Sequence, residues 1–429
     1  MAKADDEVDF DELDSILEDD DSVKTFRETD DGNVLNWIPT LIPEMDKNLV
    51  GGIGVSGQIS EIIGKASSGK STFSALVIKN ALKMKVIPVY FDIERTETWV
   101  RLEQLGVDPN KVFTVLPKRN SDGSVKAVSI EDVGQKIIDF CAKIHKARED
   151  YSILFVWDSI ANSQSEADAE ADTHVKSVAA QSKALNIITR KLSANLVANN
   201  GGLLAFNQAR TDMNAPMPQY ASLKTTGGFG WEHALSTRIS FKKRKKITKN
   251  STDKEAIGNI IRAQVPKSKI GDNFDSDFEL ALIGKWGFDI EYNITLDGQN
   301  QGLITKNYPK YVSDNGEELK KRNVYEFAVA LKDPENFDIK RELWQKLIKI
   351  HFPQCYPALF NTLAIMYEDK FPLITGLRSY YINIQEGLPY KDQADNYKLF
   401  VDYYKKHKLP EKLQKEFSEN KVEIPDLKK

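Results

Sequence analysis

Between Asn36 and about Leu282, apolar runs that do not alternate with polar residues take turns with segments of helical period. GQISEIIG (57–64), VIPVYFDIE (86–94), YSILFVWDSI (151–160) and GGLLAFNQ (201–208) read as strands. STFSALVIKNALKMK, TWVRLEQLG, IEDVGQKIIDFCAKIHKA and the long HVKSVAAQSKALNIITRKLSANLVANN read as the helices between them. A strand that is apolar on both sides must be covered on both faces, and an intervening helix supplies the crossover that parallel pairing needs. The pattern predicts an α/β core with a mostly parallel central sheet over residues 35–302. LSTRISFKK and NIIRAQVPKSK read as two hairpin strands, with KKRKK (242–246) carried on the turn that joins them. A further strand, DSDFELALIG, leads into FDIEYNITLDG. Residues 303–429 read as a smaller C-terminal region, α/β at first and then a helical extension. Residues 1–34 read as a short arm.

The segment GKASSGKST follows one of these strands and opens a helix, and it fits G-x-x-x-x-G-K-[ST] at every fixed position. Gly64 and Gly69 let the backbone wrap, so that amides from Gly64, Lys65, Ala66, Ser67, Ser68 and Gly69 through Thr72 face phosphate oxygens. Lys70 reaches the β/γ-phosphates and the Ser71 hydroxyl ligates Mg²⁺, while the helix N-terminus adds its dipole. ILFVWDSI places Asp158 at the carboxyl end of an apolar strand, where open α/β sheets bind ligands. An Asp there holds Mg²⁺ in nucleotide hydrolases of this type. VYFDIERTE brings Asp92, Glu94 and Glu97 to the end of a neighbouring strand. A carboxylate near the γ-phosphate can orient the attacking water, and the chemistry alone does not choose among the three.

Charge separates the arm from the body. Residues 1–31 hold fourteen Asp/Glu against three Lys/Arg, a net of −11, which leaves +7 for the remainder of a chain whose total is −4. A basic body with an acidic arm fits a polyanion binder with an attached electrostatic competitor; a solvated tail explains the same composition. Within the arm, Phe10, Leu13, Ile16 and Leu17 share one helical face, an apolar stripe that docks on the chain's own body, on a neighbouring subunit as a polymerisation helix, or on nothing. No apolar run approaches the roughly 20 residues that span a bilayer. Cys141 and Cys355 have no metal-site spacing, and so few cysteines fit a reducing cytoplasm. His145, His174, His351 and His407 show no metal pattern.

After GGLLAFNQ comes a polar stretch, Ala209–Gly228, without an apolar period. Loops of about twenty residues are uncommon in compact domains unless they are functional or disordered. Arg210 and Lys224 supply charge, Gly227 and Gly228 allow close backbone approach to phosphates, and Met213, Met217 and Tyr220 can wedge or stack between bases. The basic run KKRKK can flank a duplex, or it can be a solvated turn.

The ordered series of the phosphate loop, FDIE, WDSIAN, FNQAR, TTGG, HALSTR and PKSK resembles the RecA-type strand-exchange recombinases. These comprise bacterial RecA, the archaeal and eukaryotic recombinases and the phage UvsX proteins. The resemblance covers roughly residues 35–345. It implies a RecA-like core with the phosphate loop, ATP and Mg²⁺ as cofactors, and Glu94 as the catalytic glutamate. It also implies that Gln208 senses the γ-phosphate and signals to a DNA-binding loop at Ala209–Gly228, with Thr225 and Thr226 in the family's TTGG. Ser163–His174 would be a first DNA-binding loop, although it is acidic at Glu166, Asp168, Glu170 and Asp172. Lys267 and Lys269 resemble paired lysines that reach the neighbouring subunit's ATP, and His233 resembles a histidine that approaches the neighbour's γ-phosphate. Trp99, beside Arg101, stands near where the family places an aromatic over adenine, and Arg262 matches a secondary DNA-site arginine. The C-terminal region and the acidic arm look phage-like.

The resemblance implies a DNA-dependent ATPase that coats single-stranded DNA as a helical filament and pairs it with duplex DNA, with single-strand-binding and mediator proteins as further partners and no membrane. A hexameric DNA helicase of the same core and an ATP-switched DNA-binding mediator are the competing readings.

Overall fold

The computed structural model describes residues 37–351, apart from 50, 56, 85, 96–97, 116–117, 120–122, 124, 127, 148–150, 171–177, 212–222, 251 and 270–275. The acidic arm with its apolar stripe and the helical extension after residue 351 lie outside the described residues. So do Met213, Met217 and Tyr220.

Among the described residues, nine strands form one central sheet. They are β1 (Ile59–Gly64), β2 (Val86–Asp92), β3 (Phe113–Thr114), β4 (Ser152–Asp158), β5 (Gly201–Gln208), β6 (Thr237–Thr248), β7 (Ala256–Ser268), β8 (Ser276–Ile283) and β9 (Gly287–Phe288). Their order is β9-β8-β7-β6-β1-β5-β4-β2-β3. Pairing is parallel from β6 through β1, β5, β4 and β2 to β3, and antiparallel from β6 outward to β9. The mostly parallel α/β core expected from the alternation is the observed one.

The period of two along each strand sends side chains to two separate cores. Leu154, Val156, Leu204 and Phe206 pack on one face with Phe73, Leu76 and Val77 of helix α1 (Lys70–Lys83). Ile153, Phe155, Trp157, Leu203 and Ala205 pack on the other, against α2 (Ile130–Ala147) and α3 (Val178–Ala198). Helix α2 begins at a capping box: the Asp132 N–H donates to Ser129 Oγ at 2.9 Å, and the Ser129 N–H donates to Asp132 Oδ2 at 3.1 Å. Its Val133, Ile137 and Cys141, four residues apart, are the face that meets the sheet.

The basic run departs from the sequence expectation. Lys242–Lys246 is not the hairpin turn but the middle of β6, exposed along its length, and the strand runs on to Thr248 before the chain turns. β6 pairs with β7 along almost its whole length, with register irregularities between Lys243 and Lys246. Ladder hydrogen bonds and bulges hold a polar run extended where composition alone reads as a turn.

Residues after β9 build a smaller layer. Helices α5 (Ile290–Asn300), α6 (Val324–Leu331) and α7 (Phe337–His351) and the strand pair Lys310–Val312/Glu318–Lys320 enclose Ile294, Tyr311, Phe327, Leu343 and Trp344. Trp344 Nε1 donates to the Leu41 carbonyl at 3.1 Å, which ties α7 to the segment entering the short helix Pro43–Asn48. Glu44 of that helix lines a cavity of about 340 Å³ with Lys245, Lys246, Glu279 and Asp297, and His351 Nε2 meets Asp297 Oδ2 at 2.8 Å beside it. Burial, then the Asp297 charge, pushes Glu44 up to about 7, against opposing pulls from His351 and Lys47. Because the folded chain holds this proton more tightly than the unfolded one, stability falls as pH rises from about 4.5 to 7. Glu44→Gln is therefore expected to be more stable than the parent at pH 8, by on the order of 2 kcal/mol, with the gap closing towards pH 4.5. Urea titrations at the two pH values read this directly; an equal difference at both would show that Glu44 does not titrate in that range.

Candidate functional site

β1 ends at Gly64 and α1 begins at Lys70, with the loop between them at the carboxyl end of the parallel strands. Two backbone features shape the loop. Gly69 has φ +95°, and a Cβ there would lie 2.9 Å from Leu282 Cδ2. At Gly64 a Cβ would lie 2.5 Å from Ser68 Oγ and 2.7 Å from the Phe241 carbonyl oxygen. No side chain caps the first turn of α1, so its amides are available to an anion. Ser68 Oγ is buried without a hydrogen-bond partner, and Lys65, Ala66 and Ser67 are exposed around it.

Lys70 is 9% exposed, and its ammonium donates to the carbonyls of Gly64 at 3.0 Å and Lys65 at 3.1 Å. Burial pulls its pKa below the usual lysine value, while the carboxylates of Asp158 and Glu94 pull the other way. Ser71 Oγ donates to Asp158 Oδ2 at 2.6 Å, and the Tyr90 hydroxyl donates to the same oxygen at 3.1 Å. Burial raises the Asp158 pKa above the ordinary carboxylate range, opposed chiefly by the Ser71 bond. An orphaned hydroxyl, uncapped amides, a lysine and a serine–aspartate pair fit a phosphate chain with a hard divalent cation at Ser71 and Asp158.

Glu94 lies just beyond the end of β2, where the Ile93 and Glu94 N–H groups donate to the Asp158 carbonyl at 2.8 and 3.4 Å. Three donors converge on its Oε1: Ser159 Oγ at 2.5 Å, Asn162 Nδ2 at 2.6 Å and Gln208 Nε2 at 3.3 Å. The structure thus brings Glu94 and Gln208 into contact and leaves Asp92 at the strand end. Glu97 lies outside the described residues. Ser159 and Asn162 were not singled out in the sequence, although both stand in WDSIAN; the available signal was their position directly after a strand-end carboxylate.

Gln208 is the last residue of β5, and the next amide, Ala209 N–H, donates to the Gly64 carbonyl at 3.2 Å. The polar stretch beyond is not wholly irregular. Arg210–Thr211 pairs antiparallel with Leu223–Lys224, Arg210 opposite Lys224, and this two-residue ladder is its stem. Thr225 and Thr226 are partly buried at the stem. Gly227 is buried with φ +130°, and a Cβ would lie 2.8 Å from Trp231 Cδ1, so packing within the chain already requires glycine there. Gly228 is exposed at the start of α4 (Gly228–Ala234). In the expected first loop, Glu166–Glu170 is a short helix, and residues 171–174 lie outside the described residues.

His233 is exposed on α4. The Lys269 ammonium donates to its carbonyl at 2.6 Å, and Lys267 donates to the Glu232 carbonyl and approaches that of His233 at 3.4 Å. Lys267, in β7, and Lys269, just beyond its end, both reach carbonyls of the last turn of α4 and cap its carboxyl end. Burial, then Lys269 and Arg238, pull the Lys267 pKa down. Trp99 opens the short helix Trp99–Gln104 with its indole 64% exposed. Arg262 is paired with Asp277.

The fold and this site define an α/β protein with a phosphate loop at the carboxyl end of its parallel strands. The RecA N-terminal domain model matches residues 34–287, and the chain belongs to the RecA-type recombinase family. It is similar to Protein RecA of Thermotoga neapolitana, 26% identical over 267 residues that cover 61% of this chain and 69% of the relative. Protein RecA of Helicobacter pylori (strain G27) is 28% identical over 253 residues, 58% of this chain and 67% of the relative. Protein RecA of Borrelia duttonii is 26% identical over 322 residues, 75% and 82% of the two chains. No helix among the described residues is long and apolar enough to cross a membrane.

Proposed function

We propose that the chain is an ATP-dependent DNA strand-exchange recombinase that forms filaments on single-stranded DNA and pairs it with duplex. The observation that carries this reading is the Glu94–Gln208 contact beside Lys70 and Ser71, made at the point where β5 runs into the stem of the 209–228 stretch. A residue that touches the phosphate site and heads the loop on the same strand can report each to the other.

Under this reading Gly64–Thr72 cradle the phosphates of ATP, and Ser71 with Asp158 holds Mg²⁺. The cation, when bound, neutralises charge on the phosphate oxygens. Lys70 exchanges its two carbonyl partners for phosphate oxygens. Glu94 orients the attacking water, and Gln208 leaves Glu94 to face the γ-phosphate. Arg210, Lys224 and residues 212–222, with Met213, Met217 and Tyr220, supply the single-strand contact, and Thr225–Gly228 anchor it. Trp99 lies at the base. Hydrolysis weakens DNA affinity and permits turnover. Single-strand-binding and mediator proteins are the partners expected for loading. ATPase measurements with and without single-stranded DNA, combined with negative-stain images of the same samples, test the reading. Expected are strong stimulation and open filaments. Closed rings favour a helicase, and unstimulated hydrolysis favours a switched mediator.

Lys267, Lys269 and His233 complete the ATP site of the adjacent protomer in this reading. Two ammonium groups already gathered on α4 carbonyls can turn to a neighbour's phosphate without leaving that surface. Lys267→Ala/Lys269→Ala is expected to keep most nucleotide binding and to lose DNA-stimulated turnover. Mixed with Lys70→Ala protein, itself inactive, it should regain part of the ATPase. Absence of complementation in mixtures seen to co-assemble would place the lysines' action within their own chain.

A further inference from the structure

A carboxylate stands in the middle of an apolar strand. Glu61 of β1 is 0% exposed, three residues before Gly64. Its Oε1 accepts from Asn207 Nδ2 and from Trp231 Nε1, each at 2.8 Å, and its Oε2 accepts from Arg238 Nε at 2.7 Å. Each donor belongs to a different element. Asn207 directly precedes Gln208 on β5, and the same amide nitrogen donates to the Thr226 carbonyl at 2.7 Å. Arg238 is the register partner of Glu61 across β6–β1 and of Lys267 across β6–β7. Its second nitrogen meets Glu232 Oε1 at 2.6 Å, and its third approaches Thr225 Oγ1 at 3.5 Å. Contacts therefore run without a break from Thr225 and Thr226 at the loop stem, through Arg238 and Glu61, to the residue beside Gln208.

Two physical points give this network a purpose beyond holding the fold. Replacing a buried ion pair by well-packed apolar side chains is often neutral or stabilising, so stability alone does not call for Glu61 and Arg238 in the sheet. Asn207 Oδ1 is buried without a partner. The amide cannot flip to mend this, because its nitrogen faces two acceptors, Glu61 Oε1 and the Thr226 carbonyl. One nitrogen of Asn207 thus serves both ends of the network, so a shift of Thr226 at the stem changes what Asn207 gives to Glu61.

We infer that Glu61 and Arg238 are positioning residues that couple the loop stem to Gln208, so that a polyanion drawing on Thr225 and Thr226 resets Asn207 and moves Gln208 off Glu94. The inference rests on the DNA-dependent ATPase reading. Its test uses the full chain, ATP and an oligo-dT single strand. Glu61→Gln keeps the volume and an acceptor oxygen but removes the charge facing Arg238. Expected are basal turnover and KM for ATP within about twofold of the parent, with DNA-stimulated kcat lower by at least about tenfold. Asn207→Ala should behave alike, and the double variant should be no worse than either single one, since both cut one path. If Glu61→Gln fails to fold, Glu61→Gln/Arg238→Gln removes both charges together and carries the same expectation. A folded variant with the parent's stimulation ratio, equal losses in basal and stimulated rates, or additive losses in the double variant would each overturn the coupling role. An unmodified protein that shows no stimulation by DNA would remove the functional reading instead, and the inference with it.

Discussion

Lys70→Ala is expected to abolish ATP hydrolysis, with a loss of at least about a hundredfold, and to remove ATP-dependent binding to single-stranded DNA. Lys70 is nearly buried, and its side-chain nitrogen is already oriented at the lip of the loop by the Gly64 and Lys65 carbonyls. Burial costs the charge some of its basicity, and Asp158 and Glu94 hold it in place. Alanine removes the donor from the Gly64 and Lys65 carbonyls and takes away the positive charge that Asp158 and Glu94 favour. The loss should therefore show in nucleotide affinity as well as in turnover. A fluorescent-nucleotide titration beside the ATPase assay separates the two. Turnover at the parent's rate would sink the phosphate-site assignment.

Glu94→Gln should behave differently. The amide has the same size, and its oxygen can still accept from Ser159 and Asn162, so the loop should keep its shape. Nucleotide and DNA binding are expected to persist, while turnover falls by roughly 10²–10⁴-fold, the usual worth of a positioned base. The variant should accumulate as ATP-bound filaments that do not disassemble, which negative-stain imaging over time would read. Hydrolysis at the parent's rate would shift the role to Asp92 or Glu97.

Much of the core was legible because its signals are local. A buried parallel strand writes a continuous apolar run, as in ILFVW, and a phosphate loop must have glycine wherever a Cβ would collide, as at Gly64 and Gly69. Asp158 announces itself by ending such a run. The basic strand was misplaced for a reason of the same kind. Lys242–Lys246 has the composition of a solvated turn, and only pairing with β7 decides that it is extended. The stem Arg210–Thr211/Leu223–Lys224 was likewise hidden, since two paired residues on each side leave no period to detect.

From sequence alone came the layers of the fold, the loop for phosphate, the carboxylates that could serve it, and the stretch that leaves the sheet after Gln208. Tertiary structure alone decided which groups meet. Glu94 receives Ser159, Asn162 and Gln208 from 65, 68 and 114 residues away, and Glu61 receives Asn207, Trp231 and Arg238 from 146, 170 and 177 residues away. A residue's chemistry is written in its identity. Its partners are set by strand order and register, which place β5 and β6 on either side of β1 and so gather at one sheet end what the chain keeps far apart.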